Sequence, residues 1–322
     1  MNQTSQPRVT VLTPVYNGAR YLEQTIQSVI DQSYGNWEYV IVNNRSTDET
    51  LNIAQGYADR DPRVRVVNNE KFVDAIENHN IAFRQVGEDS RYCKVLHADD
   101  FLFPRFLEET VKVAERHPSA GLIGAYVLWA DKVAGDGIAP EATLIPGREL
   151  CRQALLQKTY PFANLSGLLF RSDLVRARAP FLKDKSLHVD VETYYELLQE
   201  CDFGFAHQVL SFVRRHEGSR SVTQAERLKT YILARLHLLL RFGPVYLGKE
   251  EYQQALERAF SRYYQFLAAA VSKEGKGEFW EYHRKALAEM GHPLSESKFQ
   301  VARGLLLLTR TVRRLQRMVR YA

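Results

Sequence analysis

Along the first 130 residues, short runs of β-branched and other apolar residues alternate with stretches in which apolar positions recur every three or four residues. The runs lie at 9–12, 39–42, 64–67, 94–96 and 121–128. They are nearly continuous in apolar character and no hairpin turn joins them, which predicts buried parallel strands rather than a half-exposed meander. Between them, Tyr21, Leu22, Ile26, Val29 and Ile30 fall at helical spacing. So do Leu51, Ile53, Ala54 and Tyr57, then Ile76, Ile81 and Phe83, then Phe106, Leu107, Val111 and Ala114. Strand–helix alternation of this kind implies an open α/β sheet whose ligand site lies at the carboxyl ends of the strands.

From 130 to 146 the pattern lapses into Gly, Pro and Asp and reads as a loop. A helix at 148–157, a strand at 167–170, a helix at 190–200 and a strand near 209–213 follow. Beyond Thr223 the strand signal ends, and amphipathic helices are expected at 224–241, 250–271, 278–290 and 298–320. The expected division is therefore a catalytic α/β domain over 1–220 and a helical region over 221–322.

Composition narrows the class. Hydrophobic residues at 45% and charged residues at 25% are ordinary globular usage, which excludes a disordered or collagen-like chain. Lys and Arg exceed Asp and Glu by 5, but 297–322 alone holds seven basic residues and no acid, so the other 296 residues sum to about −2. The basic character belongs to the tail, and no nucleic-acid-binding surface is indicated. Cys93, Cys151 and Cys201 form no CxxC pair and are odd in number, which argues against a zinc cluster or a disulfide framework. No apolar run reaches the ~18–20 residues that span a bilayer, and the first eight residues lack a signal-peptide core. A soluble, cytoplasmic protein is expected.

Three strand ends carry candidate chemistry. Thr13-Pro14-Val15-Tyr16-Asn17 follows the first strand, where backbone N–H groups and a helix N-terminus face a phosphate or nucleotide; an ordinary strand-to-helix loop is the alternative. After the second strand comes Asn43-Asn44-Arg45-Ser46-Thr47-Asp48-Glu49. Ser46 or Thr47 followed by acids reads as a helix cap, whereas two amides at a strand end are placed to read a base edge. The fourth strand ends in His97-Ala98-Asp99-Asp100. Adjacent aspartates repel and are costly to bury unpaired, so a divalent cation with hard oxygen ligands, bridging to a diphosphate, accounts for them. The competing reading is a pair of acids capping the helix near Pro104.

The ordered set Pro14-Val15-Tyr16-Asn17, Gln32-Ser33-Tyr34, Glu38 to Val42, Ser46-Thr47-Asp48, Asn78 and Ala98-Asp99-Asp100 resembles glycosyltransferase family 2, inverting transferases with the GT-A nucleotide-sugar fold. The resemblance covers about residues 8–220 and implies a Rossmann-like, mostly parallel sheet flanked by helices. It also implies roles. Pro14, Tyr16 and Asn44 would line the nucleoside pocket, Asp99 would lie near ribose and metal, and Asp100 would be the principal ligand of Mn2+ or Mg2+. Where the family usually has Asp-Asp, this chain has Asn43-Asn44; the Asn44 carbonyl still accepts a uracil N3–H, which favours a UDP-sugar. His97 replaces another frequent Asp and either orients Asp99 or packs under the sheet.

Further along, Asp190 matches the family's general base, which takes the acceptor hydroxyl proton as that oxygen attacks C1; Glu192 is the runner-up. Arg214-Arg215-His216 resembles the closing loop of the family's catalytic domain, with His216 completing the metal site and Arg214 or Arg215 binding phosphate oxygens; a solvated basic turn competes. Asn164 and Ser166 stand where relatives edge the acceptor pocket.

The tail poses a separate question. In 298–320, Leu305, Leu308, Val312, Leu315 and Val319 make an apolar stripe, and Arg310, Arg313, Arg317 and Arg320 occupy other faces. Such a helix suits peripheral contact with an anionic inner membrane face, close packing or self-association. The function these readings support is inverting, metal-dependent sugar transfer from a nucleotide-diphosphate donor to a glycan or lipid-linked acceptor, in surface polysaccharide synthesis. A non-catalytic nucleotide-binding or scaffold subunit is the alternative. A nucleotidyltransferase would show a Gly-rich basic phosphate loop after the first strand, which Pro14-Val15-Tyr16-Asn17-Gly18 is not.

Overall fold

The structure is a computed structural model that describes residues 6–159, 162, 164–183, 188–219 and 221–320, with the side chains of 221, 222, 274 and 309–320 outside the description. Contacts divide the chain into two compact units, Met1–Arg215 and His216–Ala322.

The first unit contains strands β1 (Val9–Val15), β2 (Trp37–Asn43), β3 (Val64–Asn68), β4 (Tyr92–Val95), β5 (Phe101–Leu102), β6 (Ala120–Trp129), β7 (Lys132–Ala134), β8 (Leu144–Ile145), β9 (Leu168–Arg171) and β10 (Asp202–Val213). Its helices are α1 (Ala19–Ile30), α2 (Thr50–Ala58), α3 (Ala75–Phe83), α4 (Phe106–Arg116), α5 (Gly147–Leu155), α6 (Ser172–Arg176) and α7 (Val189–Leu197). The sheet runs β3-β2-β1-β4-β9-β6-β10-β5, with β7 added on β6 and β8 on β10. The first four strands pair in parallel, as the continuous apolar runs predict. β9 enters antiparallel between β4 and β6, and β10 then pairs parallel with β6. The architecture is thus mixed α/β with a mostly parallel core and antiparallel additions.

All seven residues of β1 are buried, as befits a strand covered on both faces. Leu22, Thr25, Ile26 and Val29 make the buried face of α1, and Leu22, Ile26 and Val29 pack with Val9, Val11, Tyr39, Ile41, Phe106 and Leu107 in one core. β1 lies between β2 and β4, so the crevice outside its carboxyl end is flanked by the loops that follow β2 and β4.

Two expectations need correction. The stretch 130–146 is not all loop, because β7 and β8 lie inside it. Both are short edge pieces with exposed or half-exposed residues, so no apolar run announces them. The last strand begins at Asp202 rather than near 209; His207 and Gln208 interrupt its apolar run where the register with β6 shifts between Ala206 and Val209.

The second unit opens with a π-helical turn, Ser221–Glu226, followed by α8 (Thr230–Tyr246), α9 (Lys249–Glu274), α10 (Glu278–Glu289) and α11 (Glu296–Arg320). Leu233, Leu236, Tyr263, Leu267, Trp280, Leu287 and Phe299 form its core. Val301, Leu305, Leu307 and Leu308 of α11 are more than half exposed. The arginine positions 310, 313, 317 and 320 of the expected basic stripe lie outside the described side chains. No helix among the described residues is long and apolar enough to cross a membrane.

Candidate active site

The loop after β4 is held from α1. The Thr25 hydroxyl donates to the carbonyl oxygens of Ala98 at 2.9 Å and Asp100 at 2.7 Å. Gln32 Nε2 donates to Phe103 O at 2.9 Å, and its Oε1 accepts from Leu107 N at 3.0 Å. Backbone groups of a buried loop must find partners, and Thr25 of α1 and Gln32 just beyond it supply them.

Asp100 is buried, at 2% exposure. Its Oδ1 accepts from Arg214 N at 2.9 Å, while Oδ2 has only longer contacts, 3.4 Å to Asn164 Nδ2 and 3.5 Å to His97 Nδ1. One oxygen is fixed by a main-chain donor and the other is directed toward weakly bonded groups. The two acids do not cap α4, which has Arg105 at its N-cap and no side-chain cap bond. His97 faces Asp100, and its ring meets His79 edge-on with centroids 5.5 Å apart. Burial opposes its protonation, but Asp100, then Asp99 and Asp190, outweigh burial and raise its pKa.

Arg214, expected to meet phosphate oxygens, bonds groups of the protein itself. Its Nε donates to Asp99 O at 3.0 Å, its Nη2 to Gln24 Oε1 at 2.6 Å, and the guanidinium lies 4.5 Å from the Tyr21 ring centroid. The side chain thus clamps the aspartate loop to α1. Arg215 is exposed at the end of the first unit, and His216 is the first residue of the second.

The loops after β1 and β2 interlock. Asn17 N donates to Ser46 Oγ at 2.9 Å, and Asn17 Oδ1 accepts from Thr47 N at 2.8 Å. Asp48 takes Ala19 N on one oxygen, and Thr50 N and Oγ on the other. Asn17 and Arg45 both have positive φ, which Asn tolerates through local hydrogen bonds. Ser46 and Thr47 therefore do not cap α2, whose N-cap is Glu49; they brace the loop after β1.

Asn44 is likewise occupied. Its Oδ1 accepts from Asn69 Nδ2 and Val73 N, both at 3.0 Å, and its Nδ2 donates to Val73 O at 2.8 Å. Both acceptor positions of the carbonyl are used, so the expected hydrogen bond from a uracil N3–H has no free lone pair to meet. Asn43 is tied to Asn68 Oδ1 and Ser46 N, and Asn69 also bonds Asn78. Pro14 is buried inside β1 opposite Val42, so it does not line an open pocket, whereas Tyr16 is 48% exposed.

Asp190 sits in the first turn of α7 and is partly exposed. Burial raises its pKa, against the opposing pull of the Val191 N–H, His97 and Tyr194. Asp190 and His97 are near enough for each to shift the other's pKa, and His97 also faces Asp100. Glu192 is 4% exposed and so less open to an acceptor than Asp190.

Ser166 is fully buried and its Oγ accepts from His97 N at 3.1 Å, so it supports the site from below and does not edge an acceptor pocket. Asn164 turns its Nδ2 toward Asp100, and its Oδ1 is buried without a hydrogen-bond partner. Two supporting residues escaped sequence reasoning. Lys94 is buried in β4, and its ammonium donates to Leu165 O at 3.2 Å, Ser166 O at 2.5 Å and Leu168 O at 3.1 Å. Asn80 exchanges two bonds with the Leu182 backbone. A lysine inside an apolar run reads as an edge residue, and an asparagine in a helix as solvated, so neither announces a buried tether.

The acids and the clamped loop lie at the carboxyl end of a mostly parallel α/β sheet, where folds of this class bind their ligands. The family model for glycosyl transferase family 2 matches residues 10–177, and the chain belongs to that family. It is 41% identical over 195 residues to TuaG of Bacillus subtilis, named for teichuronic acid biosynthesis, covering 61% of this chain and 73% of TuaG. It is 31% identical over 172 residues to the glycosyltransferase EpsE of the same organism, covering 51% of this chain and 60% of EpsE. Among solved structures, S. aureus TarS in complex with UDP-GlcNAc superposes with a TM-score of 0.64 at 16% identity, over 88% of this chain and 80% of that one. The mannosyltransferase PcManGT of Pyrobaculum calidifontis, in complex with GDP-Man and Mn2+, gives 0.57 at 18% identity, over 97% and 88%. These two establish the GT-A fold.

Proposed function

We propose that the protein transfers a sugar, with inversion, from a UDP-sugar to a hydroxyl of a glycan or glycolipid acceptor in surface polysaccharide synthesis. The observation that carries this reading is the arrangement of Asp100: a buried carboxylate with one oxygen fixed by Arg214 N and the other directed to Asn164 and His97, with Asp190 also near His97. TuaG's name supports a surface polymer, and the UDP-GlcNAc bound to TarS supports a UDP-sugar.

The donor set suits a divalent cation. Asp99 and Asp100 offer hard carboxylate oxygens of the right chemistry. PcManGT's Mn2+ supports the same view. When bound, such an ion neutralises the charge of a departing diphosphate. The protein's own share is to hold Asp99 and Asp100 in place through Thr25, Gln32 and Arg214, and to present Asp190 to the acceptor hydroxyl, whose proton it removes.

A thermal-shift panel of UDP, dTDP, GDP and CDP, each with Mn2+ or with EDTA, tests the reading. Stabilisation by UDP that needs Mn2+ is expected, about 2.7 kcal/mol at a hundredfold the dissociation constant. No shift with any nucleotide would overturn it in favour of a subunit that has kept the fold without the donor.

A further inference from the structure

Helix α3 carries two buried amides on opposite sides. Asn78 and Asn80 are each 4% exposed. Two residues apart on an α-helix, they point about 200° from one another, so one face of α3 does not hold both. A buried amide costs free energy unless it is hydrogen-bonded, and each of these has its own partner. Asn78 Oδ1 accepts from Asn69 Nδ2 at 2.9 Å, and the same Nδ2 bonds Asn44, so this side of α3 braces the loops after β2 and β3. Asn80 Nδ2 donates to Leu182 O at 3.0 Å, and its Oδ1 accepts from Leu182 N at 2.9 Å. His79, between the two, meets the His97 ring of the aspartate loop.

Leu182 belongs to a segment held from both sides. Phe181 is 1% exposed, and its ring centroid lies 4.1 Å from that of Phe83, the last residue of α3, and 5.8 Å from that of Phe170 in β9. From the other side, Glu196 of α7 pairs with Arg178 and, at 3.2 Å, with Lys183. The Arg178 and Glu196 side chains are each 16% exposed, so salt screens their pair less than one on the open surface. The stretch 178–183 thus joins α3 to α7, the helix whose first turn carries Asp190.

We propose that Asn80 is a positioning residue of the transfer step: it pins the segment that holds α7, and so sets where Asp190 stands relative to the donor while touching neither. The proposal rests on the reading of Asp190 as the base. The residue type follows from the task, because Leu182 needs a donor for its carbonyl and an acceptor for its N–H. Asparagine supplies both, whereas an ionised aspartate lacks the donor and leucine lacks each. One helix then registers the base against the loops that Asn78 braces. A displacement of about 1 Å in a reacting group costs on the order of a hundredfold in rate, so a loosened segment shows in turnover before it shows in donor affinity.

The test sets UDP release by the full chain, from the UDP-sugar that the wild type hydrolyses fastest, against calorimetric titration with UDP and Mn2+. Asn80→Ala is expected to lower kcat about tenfold and to leave the UDP Kd within twofold. That variant strands the Leu182 N–H and carbonyl and so risks misfolding. Glu196→Gln loosens the same segment from α7 without changing side-chain size, and is expected to lower kcat about threefold, again with Kd within twofold. Unchanged turnover in Asn80→Ala, or in Glu196→Gln where Asn80→Ala does not fold, overturns the positioning role and leaves the transferase reading intact. A loss of UDP affinity equal to the loss of turnover also overturns it, since a residue that only holds the fold together lowers both. If the wild-type chain neither binds UDP nor releases it from any UDP-sugar, the transferase reading fails and the proposal with it.

Discussion

Asp100 and Arg214 are 114 residues apart, yet the backbone N–H of Arg214 donates to Asp100 Oδ1 at 2.9 Å while the Arg214 side chain grips Asp99 O. The end of the last strand thereby closes over the end of β4. The guanidinium is spent on Gln24, Asp99 and the Tyr21 ring, so its loss should loosen the aspartate loop as a whole. Arg214→Ala is expected to destabilise the protein by about 1–2 kcal/mol and to weaken UMP and UDP binding by similar factors. A loss confined to UDP would show that Arg214 contacts the second phosphate instead.

Lys94 offers the strongest single tether beneath the site. Its ammonium bonds three carbonyls of the 165–168 segment and lies 4.3 Å from the Phe106 ring centroid. Burial pushes its pKa well below the ordinary lysine value. Lys94→Met fills the same space but leaves those carbonyls without a donor, at roughly 3 kcal/mol. Urea denaturation should show that loss, and sugar transfer should fall too, because the tethered segment carries Asn164 and Ser166. Wild-type stability in the variant would show that water replaces the ammonium.

The second unit has its own pH dependence. His283 is fully buried; its Nε2 faces Leu228 O at 2.9 Å, which only accepts, so Nε2 carries the proton and Nδ1 accepts from the Tyr263 hydroxyl at 2.5 Å. Burial lowers its pKa from 6.5 to about 4. The unfolded chain binds a proton below pH 6.5 that the folded unit refuses, so stability is complete above that value and falls as pH drops toward 4. The loss from this residue is at most roughly 3 kcal/mol. Urea curves followed by Trp280 fluorescence, in a Trp37→Phe, Trp129→Phe background, should show less acid sensitivity in His283→Gln. Equal sensitivity would remove His283 as the cause.

On α11, Val301, Leu305 and Leu308 are exposed at helical spacing, and the sequence continues the stripe with Val312, Leu315 and Val319 among arginines. Binding to vesicles containing anionic phosphatidylglycerol, weakened by salt and absent from neutral vesicles, is the expected outcome. Salt-independent association with both vesicle types would contradict an electrostatic contribution.

The parallel strands were legible because burial on both faces leaves an unbroken apolar run; Asp99 and Asp100 stood out as adjacent acids at a strand end, and Asp190 only through the family resemblance. Tethers were not legible. Asn44 and Ser166 were read as ligand contacts from their place in the chain, yet each bonds the protein itself, and partners distant in sequence such as Val73 and His97 decide that.

The central claim, that Asp190 is the base of an inverting transfer, is tested most directly by UDP release from a UDP-sugar, with water in place of the acceptor hydroxyl. Asp190→Asn is expected to slow release about a hundredfold or more while leaving the UDP dissociation constant within twofold. In the wild type the acid limb of the rate should lie above the ordinary aspartate value of 3.8, since burial raises the Asp190 pKa and the base acts only when ionised. Release by Asp190→Asn at the wild-type rate would contradict the assignment.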